Sequence, residues 1–467
     1  MTTKTEAFYD ALAESHGKWL RRNRHYHKML AKLLAFHVRP GCRVLEIGCA
    51  TGGLLAAMKP SRGVGVDLSA KMLDIARREH PELTFVQAAG ESFHLDEQFD
   101  YILIADTVGL FEDVQAVFKT LRHVCHDGTR ILLTNYSFLW RQPIELAAKL
   151  KLKMPEPEPS WLTPSDLDNL LRLEDFEVVK STSKLLLPLN LPPLSWLCDK
   201  YLANLPGFSA LNLVNLLVAR PLRLRPPQEP SVSIVIPARN EAGNIRRALL
   251  EMPRFAPDIE VIFVEGGSTD DTWEQIEQAA AEFPQWKIKY ARQEGKGKGD
   301  AVRKGFAMAS GDILMILDAD LTVPPAELPK FHAALVSGKG EFINGCRLVY
   351  PVEDGAMRML NTLGNKGFGL IFTWLLGQRF KDTLCGTKVL TKDDYLKIAA
   401  GRDYFGNFDP FGDFDLLFGA TKLDLKITDI PIRYKRREYG DTNISRFRHG
   451  WILLKMCCFA MRKIKFV

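Results

Sequence analysis

Apolar residues in this chain come in short runs of four or five. Each run closes on a small or acidic residue and is followed by a longer stretch with helical spacing. One set lies at Arg43–Ile47, Gly63–Val66, Tyr101–Ile104 and Arg130–Leu133; a second lies at Ser233–Ile236, Glu260–Val264, Lys287–Tyr290 and Ile313–Leu317. Continuous apolar runs of this length predict strands buried on both faces. Strand alternating with helix predicts an α/β fold, with a mostly parallel sheet covered by helices on both faces, built twice. Ligands then bind beyond the C-terminal ends of the strands. Between the sets, Leu222–Pro230 (LRLRPPQEP) holds three prolines and little that can pack. It predicts a linker over residues 222–230, between a domain at 1–221 and another at 231–467. The halves share this architecture but not their motifs.

A length of 467 residues agrees with two domains, and 46% hydrophobic with 25% charged residues is a globular composition. The eight cysteines form no CxxC pair and no zinc spacing, and MTTKTEAFYD has no signal-peptide core. A cytoplasmic protein with reduced thiols is the simplest expectation. The net charge of +6 is uneven: from Lys426 onward there are eleven Lys/Arg against three Asp/Glu. Such a surplus suits phosphates or an anionic lipid surface, or is a solvated face. No apolar run reaches the roughly 20 residues of a spanning helix. Gly367–Gly377 and Trp451–Met461 are shorter. The second, flanked by Arg446, Arg448, Arg462, Lys463 and Lys465, predicts an interfacial helix near the C-terminus; the first reads equally as a core helix.

In the first half, VLEIGCATGGL (44–54) runs a strand through Glu46 into Gly48, Ala50, Gly52 and Gly53. Small residues let backbone approach a ligand, and a helix start favours a negative group. The next strand ends at Asp67-Leu68, where a carboxylate can accept ribose hydroxyls. A dinucleotide or an adenosyl ligand would fit. Together with FDYILIADTVGLFED, these motifs resemble the Rossmann-like S-adenosylmethionine-dependent methyltransferases over residues 35–220. The resemblance implies that Glu46, Gly48, Ala50 and Gly52 line the methionine part of the donor, and that Asp67 holds its ribose. It also implies that Gly90 and Glu91, in QAAGES, face the adenine, that Asp106 faces the methionine end, and that residues 5–35 cap the donor. Ala50 stands where glycine is usual, and Ala89 where an aspartate often binds adenine. Alignment and desolvation can carry much of methyl transfer, so no metal is required, and a base only for a poorly ionised acceptor. Asp106, Tyr136, His25 and His27 are candidate bases; for the histidines a surface helix is the preferred reading.

In the second half, IPARNE (236–241) and VEGGSTDD (264–271) place polar turns at strand ends, and ILMILDADL follows. In an extended Asp318-Ala319-Asp320 the two carboxylates would share a face and could hold Mg²⁺ or Mn²⁺ against a diphosphate. GKGKG (295–299) is not a Walker loop and does not open a helix in GxGxxG register; Lys298 could neutralise a diphosphate, or the segment is a flexible basic turn. These pieces, with DADLTVPP, NGCRL and DTLCGTK, resemble glycosyltransferase family two over residues 231–450, and within it the dolichyl- or polyprenyl-phosphate sugar transferases. The resemblance implies a GT-A fold, with Pro237, Ala238, Arg239, Asn240 and Glu241 bounding a nucleotide-sugar pocket. Glu265, where the family more often has aspartate, would contact base or ribose beside Gly267 and Ser268. Asp318, Ala319 and Asp320 would meet the diphosphate and metal. Arg347, with Arg433 and Arg437, would receive an acceptor phosphate.

The expected function is therefore bifunctional: methyl transfer from S-adenosylmethionine to an unidentified acceptor, and metal-dependent inverting transfer from a UDP- or GDP-sugar to a polyprenyl phosphate. It would act at the inner face of the membrane, peripherally attached, without nucleic acid. The competing expectation is transfer to a sugar hydroxyl, with Asp413 or Asp415 as base and the first half a non-catalytic scaffold.

Overall fold

The computed structural model describes residues 2–222, 229–350, 359–405, 412–440 and 446–466, without the side chains of 2–3, 359–363 and 446–450. The chain divides into two compact units, Met1–Leu224 and Arg225–Lys465, with Phe466 grouped with the first. Most of the Pro-rich stretch, residues 223–228, lies outside the described residues.

The first unit opens with two helices, α1 (Thr2–Arg22) and α2 (Arg24–His37). Its strands are β1 (Arg43–Ile47), β2 (Arg62–Asp67), β3 (Thr84–Gln87), β4 (Phe99–Ala105), β5 (Cys125–Tyr136), β6 (Phe176–Lys184) and β7 (Val214–Pro221). They form one sheet in the order β3-β2-β1-β4-β5-β7-β6. β1 to β5 run parallel, and β7 is inserted antiparallel between β5 and β6. Leu45, Val64, Ile102 and Ile131 supply one face of the sheet core and Val44, Leu103, Leu132 and Val218 the other. Burial on both faces is what the unbroken apolar runs required.

The second unit repeats the plan with β8 (Val232–Ala238), β9 (Ile259–Glu265), β10 (Lys289–Arg292), β11 (Ile313–Ile316), β12 (Phe342–Cys346), β13 (Lys388–Thr391) and β14 (Ile427–Pro431). Their order is β10-β9-β8-β11-β13-β12-β14, and β13 alone among them runs antiparallel to its neighbours. β10 begins two residues later than the apolar pattern predicts. Lys287 adopts φ +47° at the end of the short helix Pro284–Trp286, a left-handed turn that delays the strand.

The run 451–461 does not lie free of the core. In the helix Arg446–Ala460, Leu453, Met456, Cys457 and Ala460 pack into the same core as Phe372 and Leu375 of the helix Met359–Leu376. Trp451 and Leu454 remain exposed on the other side, as does Leu370 of the partner helix. No helix among the described residues is long and apolar enough to cross a membrane.

Candidate functional sites

In the first unit a cavity of about 370 Å³ sits at the C-terminal end of the parallel strands. β1 leads into it through three residues of positive φ: Gly48 (+76°), Ala50 (+45°) and Gly52 (+76°). Each glycine is required by a neighbour. A Cβ on Gly48 would stand 2.5 Å from the Thr107 side chain, and one on Gly52 would stand 2.7 Å from the Phe85 ring. Glu46, Gly48, Ala50, Asp67, Leu68, Gly90, Glu91 and Asp106 all line the cavity; Gly52 does not. Between the lining residues Thr51 and Gly53, Gly52 turns the backbone at φ +76° against the Phe85 ring.

Asp67 shapes the turn as well as the wall. Its Oδ2 accepts the Ala50 N–H at 2.8 Å and its Oδ1 the Ser69 N–H at 2.9 Å. The Leu68 N–H also reaches the carboxylate, so of its roughly four lone-pair positions about one is left for a ribose-type hydroxyl. Burial raises its pKa against the pull of those bonds. Glu46 is 3% exposed. The Leu55 N–H reaches its carboxyl, but Oε2 has no hydrogen-bond partner, and burial pushes the pKa up to about 8. Asp106, at φ +58° beyond β4, accepts from Thr134 Oγ1 at 2.8 Å and from the Tyr26 hydroxyl.

The remaining wall comes from elements with no motif. Thr5, Tyr9, His16 and Leu20 of α1 and His27, Leu30 and Ala31 of α2 line the cavity, as do Tyr136, Met154 and Glu156. The α1 residues recur at intervals of four and seven, one helical face, which is the signal that could have found them. The two candidate histidines part company. His25 faces Asp199 at 3.3 Å, whereas His27 lines the cavity with its pKa lowered by burial and by Lys153, correcting the surface reading for that residue.

In the second unit the polar groups at the ends of β8, β9 and β11 form one interlocked set. Asn240, at φ +55°, donates its N–H to Ser268 Oγ at 2.9 Å and accepts the Thr269 N–H at 2.8 Å. Glu265 is buried and accepts the Ser268 N–H, while Gly267 (φ +72°) turns the loop. Glu241 accepts from Asn244 Nδ2 at 2.7 Å and faces Arg437 at 3.4 Å; burial raises its pKa to about 7, against the pull of Arg437.

The segment Asp318–Asp320 is not extended. β11 ends at Ile316 and residues 319–320 form a turn, closed by Leu321 at φ +51°. The alternation argument therefore fails there, and each carboxylate has its own cation. Asp318 Oδ1 lies 2.5 Å from Lys298 Nζ, and Asp320 Oδ2 accepts from Arg437 at 2.7 Å. Thr322 donates to Asp320 Oδ1 at 2.8 Å through its hydroxyl. Arg437 so bridges Asp320 and Glu241. Lys298 opens the helix Lys298–Met308 and is a fixed partner of Asp318 rather than part of a loose turn. Burial disfavours its charge, but Asp318 and Asp413 more than offset this and raise its pKa.

Two glycines make the approach possible. A Cβ on Gly386 would fall 2.0 Å from Asp318 Oδ2 and 2.3 Å from Lys298 Nζ. A Cβ on Gly412 would fall 2.5 Å from the Gly299 Cα. The second contact brings Asp413 toward Lys298. Asp413 Oδ1 has no hydrogen-bond partner and lies 3.5 Å from the ammonium of Lys388, a lysine with no exposed side-chain area. Asp415 does not join this group, because it is paired with Arg402 at 2.8 Å.

Arg347 is also committed. Its Nε and Nη2 reach the two oxygens of fully buried Asp382 at 2.7 and 2.8 Å, and its plane lies over the Tyr434 ring at 5.2 Å. A bidentate pair of this kind orients the guanidinium. Arg433 is exposed. Among the described residues no three His, Cys, Asp or Glu converge as a metal cage. The Asp318 and Asp320 pair instead fits the Mg²⁺ pattern of one or two carboxylates completed by substrate phosphates.

Comparison with known proteins follows the same division. Residues 233–394 match the model of glycosyl transferase family 2, and residues 19–181 match a methyltransferase domain. Glycosyltransferase AglJ of Haloferax volcanii is 31% identical over 229 residues, covering 49% of this chain and 71% of the relative. Undecaprenyl-phosphate 4-deoxy-4-formamido-L-arabinose transferase of Pseudomonas fluorescens is 27% identical over 231 residues, covering 48% of this chain but 63% of that protein. Among solved structures, a SAM-dependent methyltransferase and possible histamine N-methyltransferase of Thermotoga maritima overlays 47% of this chain and all of its own, at 19% identity and a TM-score of 0.37.

Proposed function

Since the chain belongs to glycosyl transferase family 2 through its second half and carries a methyltransferase domain in its first, we propose a bifunctional enzyme: its second unit transfers a sugar from a nucleotide sugar to a polyprenyl phosphate at a membrane surface, and its first unit transfers a methyl group from S-adenosylmethionine. The observation that carries the glycosyl reading is the pair Asp318 and Asp320, held at a strand end by cations, Lys298 and Arg437, that a diphosphate can draw away. A divalent cation bound there would offset charge on the departing diphosphate. Glu241, Asn240 and Glu265 then border the nucleoside end.

The acceptor chemistry suits this set. A phosphate monoester has a second pKa of about 6, so it is largely ionised at neutral pH and needs no base to attack the anomeric carbon. The protein's task is to orient two anions against each other. Lys298 and Arg437 are placed to exchange a carboxylate for a phosphate oxygen, and Arg347, aligned by Asp382, keeps N–H groups beyond that pair. The polyprenyl-phosphate relative supports the acceptor class. The exposed Trp451, Leu454 and Leu370, beside Lys455 and Lys465, support a membrane surface.

In the first unit, Asp67 would hold the donor's ribose and the unpartnered Glu46 Oε2 its cationic end. S-adenosylmethionine supplies an already activated methyl group. His27, buried with a lowered pKa, would be neutral near pH 7 and able to take an acceptor proton.

Asp413 gives a second reading some footing. Its Oδ1, without a hydrogen-bond partner and 3.5 Å from the Lys388 ammonium, is placed as a base for a sugar hydroxyl, which Asp415 is not. Incubation with Mn²⁺ or Mg²⁺, UDP- and GDP-sugars and a short polyprenyl phosphate, followed by mass spectrometry, separates the two. The expected result is a lipid-linked sugar that Asp320→Asn abolishes and Asp413→Asn leaves. Nucleotide-sugar turnover without a lipid product, lost in Asp413→Asn, would reject the phosphate acceptor.

A further inference from the structure

The first unit carries an apolar face that the methyl-donor cavity does not use. Just after Tyr136, at the cavity wall, the chain enters a short turn at Phe138–Trp140 and the helix Arg141–Lys149. Here Leu139, Leu146 and Leu150 are 63%, 57% and 59% exposed. The Trp140 indole donates to the Leu211 carbonyl at 2.8 Å, and Asn212 Nδ2 donates to the Ala203 carbonyl at 2.8 Å. These bonds tie the strip to the segment 203–212, which follows the helix Leu194–Lys200, where Leu194, Trp196 and Leu197 are also about half exposed. Leucine and tryptophan gathered at this density on an outer surface mark an interaction site.

The charges say what covers it. Residues 186–211 contain one acid, Asp199, and it is buried, accepting the N–H groups of Leu186 and Leu187 at 2.8 Å and facing His25. On the helix, Glu145 is neutralised by Arg141 at 2.9 Å. The cations stand outward: Lys149 and Lys151 are exposed, and Lys200 reaches over the Trp196 ring at 5.9 Å. Leucine and tryptophan fringed by lysine, with the local acids buried or paired, match the depth profile of an anionic bilayer surface. A second copy docked by two-fold symmetry would instead set these lysines against their equivalents.

We propose that this face is a second membrane-docking surface, through which the first unit binds anionic phospholipid independently of the C-terminal helices. Tyr136 precedes the strip 138–152, and Met154 and Glu156 follow it, and all three line the cavity. Docking therefore brings the cavity mouth to the headgroup layer, and the methyl acceptor is a lipid-borne molecule. That last step rests on the methyl-donor reading; the docking step does not.

The test uses the full chain, flotation with phosphatidylcholine vesicles with and without phosphatidylglycerol, and no methyl donor. Trp451→Ser with Leu454→Ser disables the tail. This variant should still float with anionic vesicles. Adding Leu146→Ser, Leu150→Ser and Trp196→Ser should lower its partition by on the order of 1,000-fold, since each of the three inserted side chains is worth about tenfold. Separately, Lys149→Glu with Lys151→Glu should cut binding to anionic vesicles several-fold and leave binding to neutral ones unchanged; it carries the test if the apolar variant fails to fold. Loss of all flotation in the tail variant alone would overturn the proposal. So would undiminished flotation of the apolar variant, or a change from dimer to monomer in that variant with vesicle binding intact, which would assign the face to a second copy. Failure of S-adenosylmethionine to bind in calorimetry would instead remove only the acceptor step.

Discussion

Glu46 makes the cavity of the first unit sensitive to pH in a direction that can be worked out. Its carboxyl is 3% exposed, has one oxygen without a partner, and titrates near 8 instead of 4.5, chiefly because of burial. Below pH 4.5 it is protonated in both the folded and the unfolded chain. Between 4.5 and 8 the folded chain keeps a proton that the unfolded chain has lost, so stability falls as pH rises. Above 8 both forms are ionised and the loss is complete. A gap of about 3.5 pH units corresponds to about 5 kcal/mol at most. Glu46→Gln keeps the shape and can still accept the Leu55 N–H, but it cannot ionise. Urea unfolding of both proteins at several pH values checks this. The variant should match the parent near pH 5 and exceed it by about 4 kcal/mol near pH 8, the difference growing by about 1.4 kcal/mol per pH unit. A difference flat to within about 0.5 kcal/mol across that range would refute the reasoning. It would mean that the pocket already solvates the carboxylate.

Three further outcomes follow from single contacts. Gly386→Ala places a methyl group 2.0 Å from Asp318 Oδ2 and should lower sugar transfer by roughly 100-fold in a nucleotide-sugar turnover assay, with methyl-donor binding unchanged in calorimetry. Ala50→Gly relieves an L-residue at φ +45° without touching the N–H bond to Asp67, and should raise stability by about 1 kcal/mol in denaturant titration. Glu260 is buried, yet Lys289, Ser233 and Ser310 overcome that burial and hold its pKa near 2, so its contribution is complete above pH 4.5 and fades as pH falls toward 2. Glu260→Gln should therefore cost about 2 kcal/mol at pH 7, discounted for the exposure of Lys289, and nearly nothing at pH 2 by the same titration.

How much of this was legible depends on how local the cause is. The strands β1, β2, β4, β8, β9 and β11 could be read because a strand buried on both faces is written in four or five consecutive apolar residues. β13 could not, since its first residue is Lys388, a charge kept wholly inside by the nearby Cys385 carbonyl and by Asn344 and Asp413, which come from two other parts of the chain. The glycines divide in the same way. Gly48 and Gly267 sit in turns that announce themselves by spacing. Gly386 is needed because Asp318 arrives from about 70 residues away, and Gly412, itself at φ +76°, also makes room for Gly299 from about 110 residues away, facts of topology that no window of sequence holds. The paired carboxylates were found for a reason that does not hold, because the segment turns instead of extending. What holds Asp318 and Asp320 is a separate cation each, Lys298 from 20 residues before and Arg437 from 117 after. Chemistry of this kind is visible in sequence as residue types, and its geometry appears only when the distant partners are in place.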